Sequence, residues 1–187
     1  MCIRDRVIER HLQYANFRGV RDFGEGDYPS DATWRAGFAN LEKHDLVACL
    51  DSSPETYASI KGLAQAFPNT TISLDHAGFP RARDDDYFAM WKRELANLAE
   101  APNVVIKISG LGMCDNDWTV DSFRPWVLTC IETFGVERSF FGTNWPVDRL
   151  YSSYGDVVNA YEAIISGFSL DEQVALFSGN AERIFRV

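Results

Sequence analysis

Short apolar runs alternate with amphipathic stretches along this chain, and each apolar run ends on a polar residue. "LVACLD" (46–51) and "NVVIKISG" (103–110) are almost continuously apolar, the pattern of strands covered on both faces. "FRGVRDF" predicts a short strand around Gly19 to Arg21, "TTISLDHAG" one over 70–78, and "ERSFFGTNW" the last. Between them, "SDATWRAGFANLEKHD", "SPETYASIKGLAQAFP", a segment of about 15 residues after the polar loop "FPRARDDD" that ends near Ala101, and "SFRPWVLTCIETFG" carry apolar residues at helical spacing. A first helix starts near Val7, with Val7, Ile8, His11 and Leu12 on one face. Ser30 or Asp31, and Ser52 or Ser53 ahead of Pro54, stand where helix caps belong, and "SLDE" at Ser169 to Glu172 spells a capping box.

Strands joined by helical crossovers run parallel. Two architectures satisfy that pattern, an open doubly wound sheet and part of a (β/α)₈ barrel. The open sheet calls for a glycine-rich phosphate turn, and "ISGLGM" (108–113) lacks the G-x-G-x-x-G spacing. Arg21, Asp51, Asp75 with His76, Ser109 and Asn144 all follow apolar runs. A barrel places its functional groups at that carboxyl-terminal rim. Five units in 187 residues fall short of the eight that close a barrel.

Charge narrows the partners. A formal net charge of −9 argues against nucleic acid, whose affinity comes from Lys and Arg neutralising phosphates. No apolar run is long enough to span a bilayer, so the expected partner is a small-molecule substrate, not a membrane. Cys2, Cys49, Cys114 and Cys130 show no C-x-x-C spacing and read as reduced thiols of a cytoplasmic protein. Met1 to Arg6 show neither cap nor strand pattern. They read as a foreign leader, leaving 7–187 as one partial barrel domain with its amino-terminal units missing.

"FRGVRDF", "TISLDHAGFP", "PNVVIKISGLGM", "FFGTNWPVDRLYSSYGDVVNAY" and "ALFSGNAERIFRV" together resemble the amidohydrolase-related (amidohydrolase 2) family, in particular its branch of sugar and aromatic lactonases. The resemblance runs from about Val7 to Val187. It implies an α/β fold, a distorted (β/α)₈ TIM barrel of which these strands are the fourth to eighth. It also implies a hydrolase that opens a lactone or similar cyclic ester or carboxylate substrate with water. A decarboxylase on the same barrel and a binding descendant without turnover are the alternatives. The family's first strand carries an H-x-H pair, and none of His11, His44 and His76 forms one. A divalent metal such as zinc is an open question, with His76 the one remaining candidate ligand.

On this resemblance His76 faces the pocket as a substrate partner or metal ligand. Asp75 alternates with it and is expected to point away, in a structural role. Arg21 offers a planar fork to a substrate carboxylate, with Lys107 and Trp145 as further substrate-binding residues. Lys107 and Ser109 fall on one face of their strand. Asn144 stands where catalytic relatives carry Asp in a G-[ST]-D-W-P spelling. A neutral amide donates and accepts hydrogen bonds but cannot serve as a base. Asp148, just past Trp145-Pro146, is the carboxylate able to supply that role from the loop.

Overall fold

The computed structural model describes residues 5–22 and 24–187. Residues 1–4 of the expected leader lie outside the described residues, while Asp5 and Arg6 already belong to the first helix, α1 (Asp5–Leu12). The chain then runs β1 (Gly19–Asp22), α2 (Ala32–Lys43), β2 (Val47–Leu50), α3 (Tyr57–Ala66), β3 (Ile72–Leu74), α4 (Asp85–Ala99), β4 (Val104–Ile108), α5 (Val120–Phe134) and β5 (Ser139–Phe141). Three helices follow: α6 (Tyr154–Ile164), α7 (Leu170–Val174) and α8 (Asn180–Phe185), the last two joined by a π-helical segment, Ala175–Gly179.

The strands form one five-stranded sheet in the order β1-β2-β3-β4-β5, every pair parallel. Consecutive order follows from one short crossover helix per strand, each returning the chain beside the strand it left. Asp31, Asp84, Thr119, Ser153 and Ser169 each accept a hydrogen bond from a backbone N–H of the helix they precede. Glu172 completes the box expected at Ser169.

Alternation along the strands divides the core in two. Ala48, Leu50, Ile72, Leu74, Val104, Ile106 and Ile108 pack outward against the helices in one large cluster. Each fully buried Val, Leu or Ile there contributes about 1.5–3 kcal/mol. The other parity faces inward. Its lower part, Val47, Val105 and Phe140, is covered by Ile184 of α8 in a small second cluster. Asn180 ties α8 to the sheet by donating to Val136 O and Ser139 O at 2.7 and 2.8 Å. Above this plug the inner face becomes polar. Arg21, Cys49 and Ser73 are aligned by register across three strands, and Lys107 follows the plug residue Val105 on β4.

Two strands are shorter than their sequence pattern. β3 ends at Leu74 and β5 at Phe141, so His76 and Asn144 lie in turns beyond the ladder. Both residues have positive φ, 56° each, which a strand cannot accommodate. Among the described residues Cys49, Cys114 and Cys130 are free thiols, and no helix is long and apolar enough to cross a membrane.

Candidate active site

Arg21, at the end of β1, is the hub of a polar group at the carboxyl ends of β1 to β4. Its Nη2 lies 3.2 and 3.3 Å from the two carboxylate oxygens of Asp51, and its Nε 3.1 Å from Asp75 Oδ2. The same Nη2 is 2.5 Å from His76 Nε2. Lys107 Nζ approaches Asp75 Oδ2 to 4.0 Å, and Ser73 donates to Asp75 Oδ1 at 3.3 Å. On the far side of the imidazole, His76 Nδ1 is 3.0 Å from Ser109 Oγ. Tyr28 anchors the next turn by donating to Asp51 O at 2.8 Å.

Asp75 therefore corrects the expectation of an outward, structural residue. It shares parity with Ser73 and faces the polar group, fully buried. His76, which strand alternation would turn outward, is swung inward by its left-handed backbone. Three residues without glycine's freedom, His76, Ala77 and Phe79, hold positive φ in this turn. Each such residue costs roughly 1–2 kcal/mol. Gly110 makes room for the ring: at φ +65°, a Cβ there would stand 2.7 Å from His76 Nδ1.

The tautomer follows from the neighbours. A guanidinium only donates, so the 2.5 Å contact requires a lone pair on His76 Nε2. Nδ1 then carries the proton and donates to Ser109. Burial, with Arg21 and Lys107 adding to it, lowers the His76 pKa to about 3, so the ring is neutral. Burial raises the carboxyls of Asp51 and Asp75, opposed at Asp51 mainly by Arg21 and at Asp75 mainly by Lys107 and Arg21. Two cations thus balance two carboxylates around one neutral imidazole.

Asn144 and Asp148 form a second group on the same rim. Asn144 Nδ2 donates to Asp148 Oδ1 at 2.8 Å. Asp148 is 2% exposed, and burial raises its carboxyl against the lowering effect of that bond. The loop after β4 links the two groups, because a Cβ on Gly112 would lie 3.5 Å from Asp148 Oδ2. Trp145, joined to Pro146 by a cis peptide bond, is 40% exposed and meets Tyr154 edge to face at 5.6 Å. Lys107 reaches over β5 because Gly142 has no side chain, and a Cβ there would meet Lys107 Cε at 2.8 Å. A cavity of about 470 Å³ opens beside Asp51, bounded by Glu25, Asp27, Glu55, Thr56, Phe79 and Arg81 among others.

Asp51, Asp75 and His76 also hold one ligand atom each within 4.8 Å of one another. His76 is thus joined by two carboxylates as candidate metal ligands, correcting the expectation that it stood alone. Oxygen, oxygen and imidazole nitrogen suit a divalent cation, and Asp75 Oδ2, fully buried, is held in place by the Arg21 and Lys107 cations. The fit requires Arg21 to withdraw from His76 Nε2. The signal for this set was present in the sequence: Asp51 and Asp75 each directly follow an apolar run in successive units.

The amidohydrolase family model (Amidohydro_2) matches residues 5–187. The chain belongs to the amidohydrolase family. It is 38% identical to the uncharacterized protein y4mH of Sinorhizobium fredii over 97% of this chain and 65% of that protein. It is 30% identical to an L-fucono-1,5-lactonase of Burkholderia multivorans over 84% of this chain and 57% of the lactonase. The crystal structure of a Burkholderia multivorans amidohydrolase with bound zinc superposes over 100% of this chain and 71% of its own with a TM-score of 0.90, at 27% identity. The chain thus spans between 57% and 65% of the length of these curated relatives.

Proposed function

We propose that this amidohydrolase chain forms the rim of a lactonase site built on the fourth to eighth units of a distorted barrel, and that the whole protein opens a lactone with water. The observation that carries the proposal is the Arg21–Asp51–Asp75–His76 group at successive strand ends, with a neutral imidazole at its centre. The likeness to an L-fucono-1,5-lactonase supports the cyclic ester. The acidic cavity beside Asp51 supports an uncharged, hydroxyl-bearing ring, since Glu25, Asp27 and Glu55 repel an anion and accept hydrogen bonds from hydroxyls.

Arg21 and Lys107 hold the ester carbonyl oxygen, and their charge stabilises the oxyanion as it develops. Asp148 accepts a proton from the attacking water as the water oxygen bonds to the carbonyl carbon. Asn144 fixes that carboxylate through Oδ1 and leaves Oδ2 free. Burial raises the Asp148 carboxyl, bringing it toward the basicity a general base needs. The ring C–O bond then breaks, the alkoxide takes the proton back, and a hydroxy acid leaves. His76, accepting at Nε2 from Arg21, holds that guanidinium toward the ester, and Trp145 borders the ring. A divalent metal held by Asp51, Asp75 and His76 would supply Lewis-acid polarisation of the carbonyl.

Hydrolysis of L-fucono-1,5-lactone and related aldonolactones, followed by proton release, tests the proposal. Turnover lost in Asp148→Asn and His76→Gln supports it. Full turnover in Asp148→Asn removes Asp148 from the mechanism. The amide at Asn144 favours a second reading, a descendant that binds the ring without opening it. Saturable binding without proton release at any zinc loading would establish that alternative, and released CO₂ would instead mark a decarboxylase.

A further inference from the structure

The turn after β3 is unusual in backbone conformation. His76, Ala77, Gly78 and Phe79 hold φ of 56°, 52°, 69° and 53° in succession. Only the glycine adopts such values freely. Inside the turn, Gly78 N donates to Asp75 O at 3.0 Å and Phe79 N to His76 O at 2.8 Å.

Two further hydrogen bonds reach the turn from behind, and they come from different helices. Trp91 of α4 donates from Nε1 to Ala77 O at 3.1 Å. Tyr57 of α3 donates from its hydroxyl to Gly78 O. Both side chains are buried in the outer core, Trp91 at 0% and Tyr57 at 1% exposure, and Ala77 is at 0%. A phenylalanine would fill most of either volume. What needs explanation is the polar atom on each ring: the two stand beside one another, and each donates to one of two adjacent carbonyls of one strained turn. That turn is also what brings the His76 imidazole to the inner face, between Ser109 and Arg21.

We propose that Tyr57 and Trp91 are positioning residues for His76: by holding two carbonyls of the left-handed turn from the helix layer, they fix the orientation and tautomer of an imidazole neither of them touches. The inference rests on His76 belonging to the site described under Proposed function. It extends the functional unit from the strand ends through the sheet to α3 and α4, and it gives core residues a role that packing alone does not require.

The full chain labelled with ¹⁵N-histidine tests it, using long-range ¹H–¹⁵N correlation of the imidazole nitrogens at pH 7. Only His11, His44 and His76 contribute signals, and His76→Gln assigns the third. The wild type is expected to show His76 as a single neutral tautomer protonated on Nδ1. In Tyr57→Phe and in Trp91→Phe the His76 nitrogens are expected to move toward a tautomer mixture, while His11 and His44 keep their shifts. Unchanged His76 nitrogens in folded variants, whatever their loss of stability, would overturn the proposal and leave the two rings as packing. Tyr57→Phe removes a single oxygen and keeps its ring, so it decides the question if Trp91→Phe does not fold. With a lactone that is turned over, Tyr57→Phe is expected to lower kcat about tenfold at nearly constant KM. If no lactone is turned over, the nitrogen shifts still decide for or against the positioning role.

Discussion

Acid should weaken this fold through His76 in a way that a single substitution removes. The imidazole is 4% exposed, and its pKa falls to about 3 through burial, Arg21 and Lys107. In the unfolded chain it returns to about 6.5. A depressed folded pKa contributes stability that is present above the unfolded value and is lost as pH falls toward the folded one. Between pH 7 and pH 5 the unfolded imidazole goes from about a quarter to almost fully protonated, while the folded one stays neutral. The loss is about 2 kcal/mol, at close to 1.4 kcal/mol per pH unit once below 6.5. It is the same for any folded value well below 5. Urea denaturation at the two pH values measures it, and with a slope of about 2 kcal/mol per molar the midpoint moves by about 1 M. Asp51, Asp75 and Asp148 have raised carboxyls and work in the opposite sense, stabilising the fold as pH falls. The comparison is therefore between wild type and His76→Gln, which shares those carboxylates. The wild type should lose about 2 kcal/mol more than the variant. Equal losses would refute the assignment of a buried neutral imidazole.

Gly110→Ala should destabilise by at least about 2 kcal/mol in the same assay, because it combines φ +65° with a Cβ 2.7 Å from His76 Nδ1. Asp75→Asn should cost about 3 kcal/mol, since it leaves Arg21 and Lys107 without the buried carboxylate they share. A smaller loss than Asp51→Asn would contradict Asp75 as the shared partner. Zinc uptake measured by equilibrium dialysis should be at least tenfold tighter in Arg21→Gln than in wild type, because the guanidinium holds the His76 Nε2 lone pair at 2.5 Å. Asp45→Gly, at φ 51° just past α2, should raise stability by about 0.5–1 kcal/mol, its exposed pair with Arg186 being worth little.

The amino-acid pattern was sufficient for the sheet and for much of the rim. Apolar runs separated by amphipathic helices force parallel strands with both faces packed, and that conclusion needs no coordinates. Lys107 and Ser109 shared a face for the same reason, since alternation within a strand is a local property. His76 departed from the same rule: Asp75 keeps the parity of Ser73, and the left-handed backbone at His76 puts both on the inner side. Strand alternation was extended past Leu74, where the chain leaves the ladder and turns left-handed. No composition signal marks that turn, because three of its four residues are not glycine.

What the sequence determined by itself is what each residue can do alone: the periodicity that makes strand or helix, the caps, the acidity, and the amide at Asn144 that cannot act as a base. The tertiary structure decided which groups meet. Arg21, Asp51, Asp75 and His76 come from three different βα units, and their joint charge state depends on burial and on distances of 2.5 to 3.3 Å set by strand register. The pairing of Asn144 with Asp148 and the inward swing of His76 go with left-handed backbone conformations at Asn144 and His76, past the ends of their strands. These are non-local energies, and no window of sequence contains them.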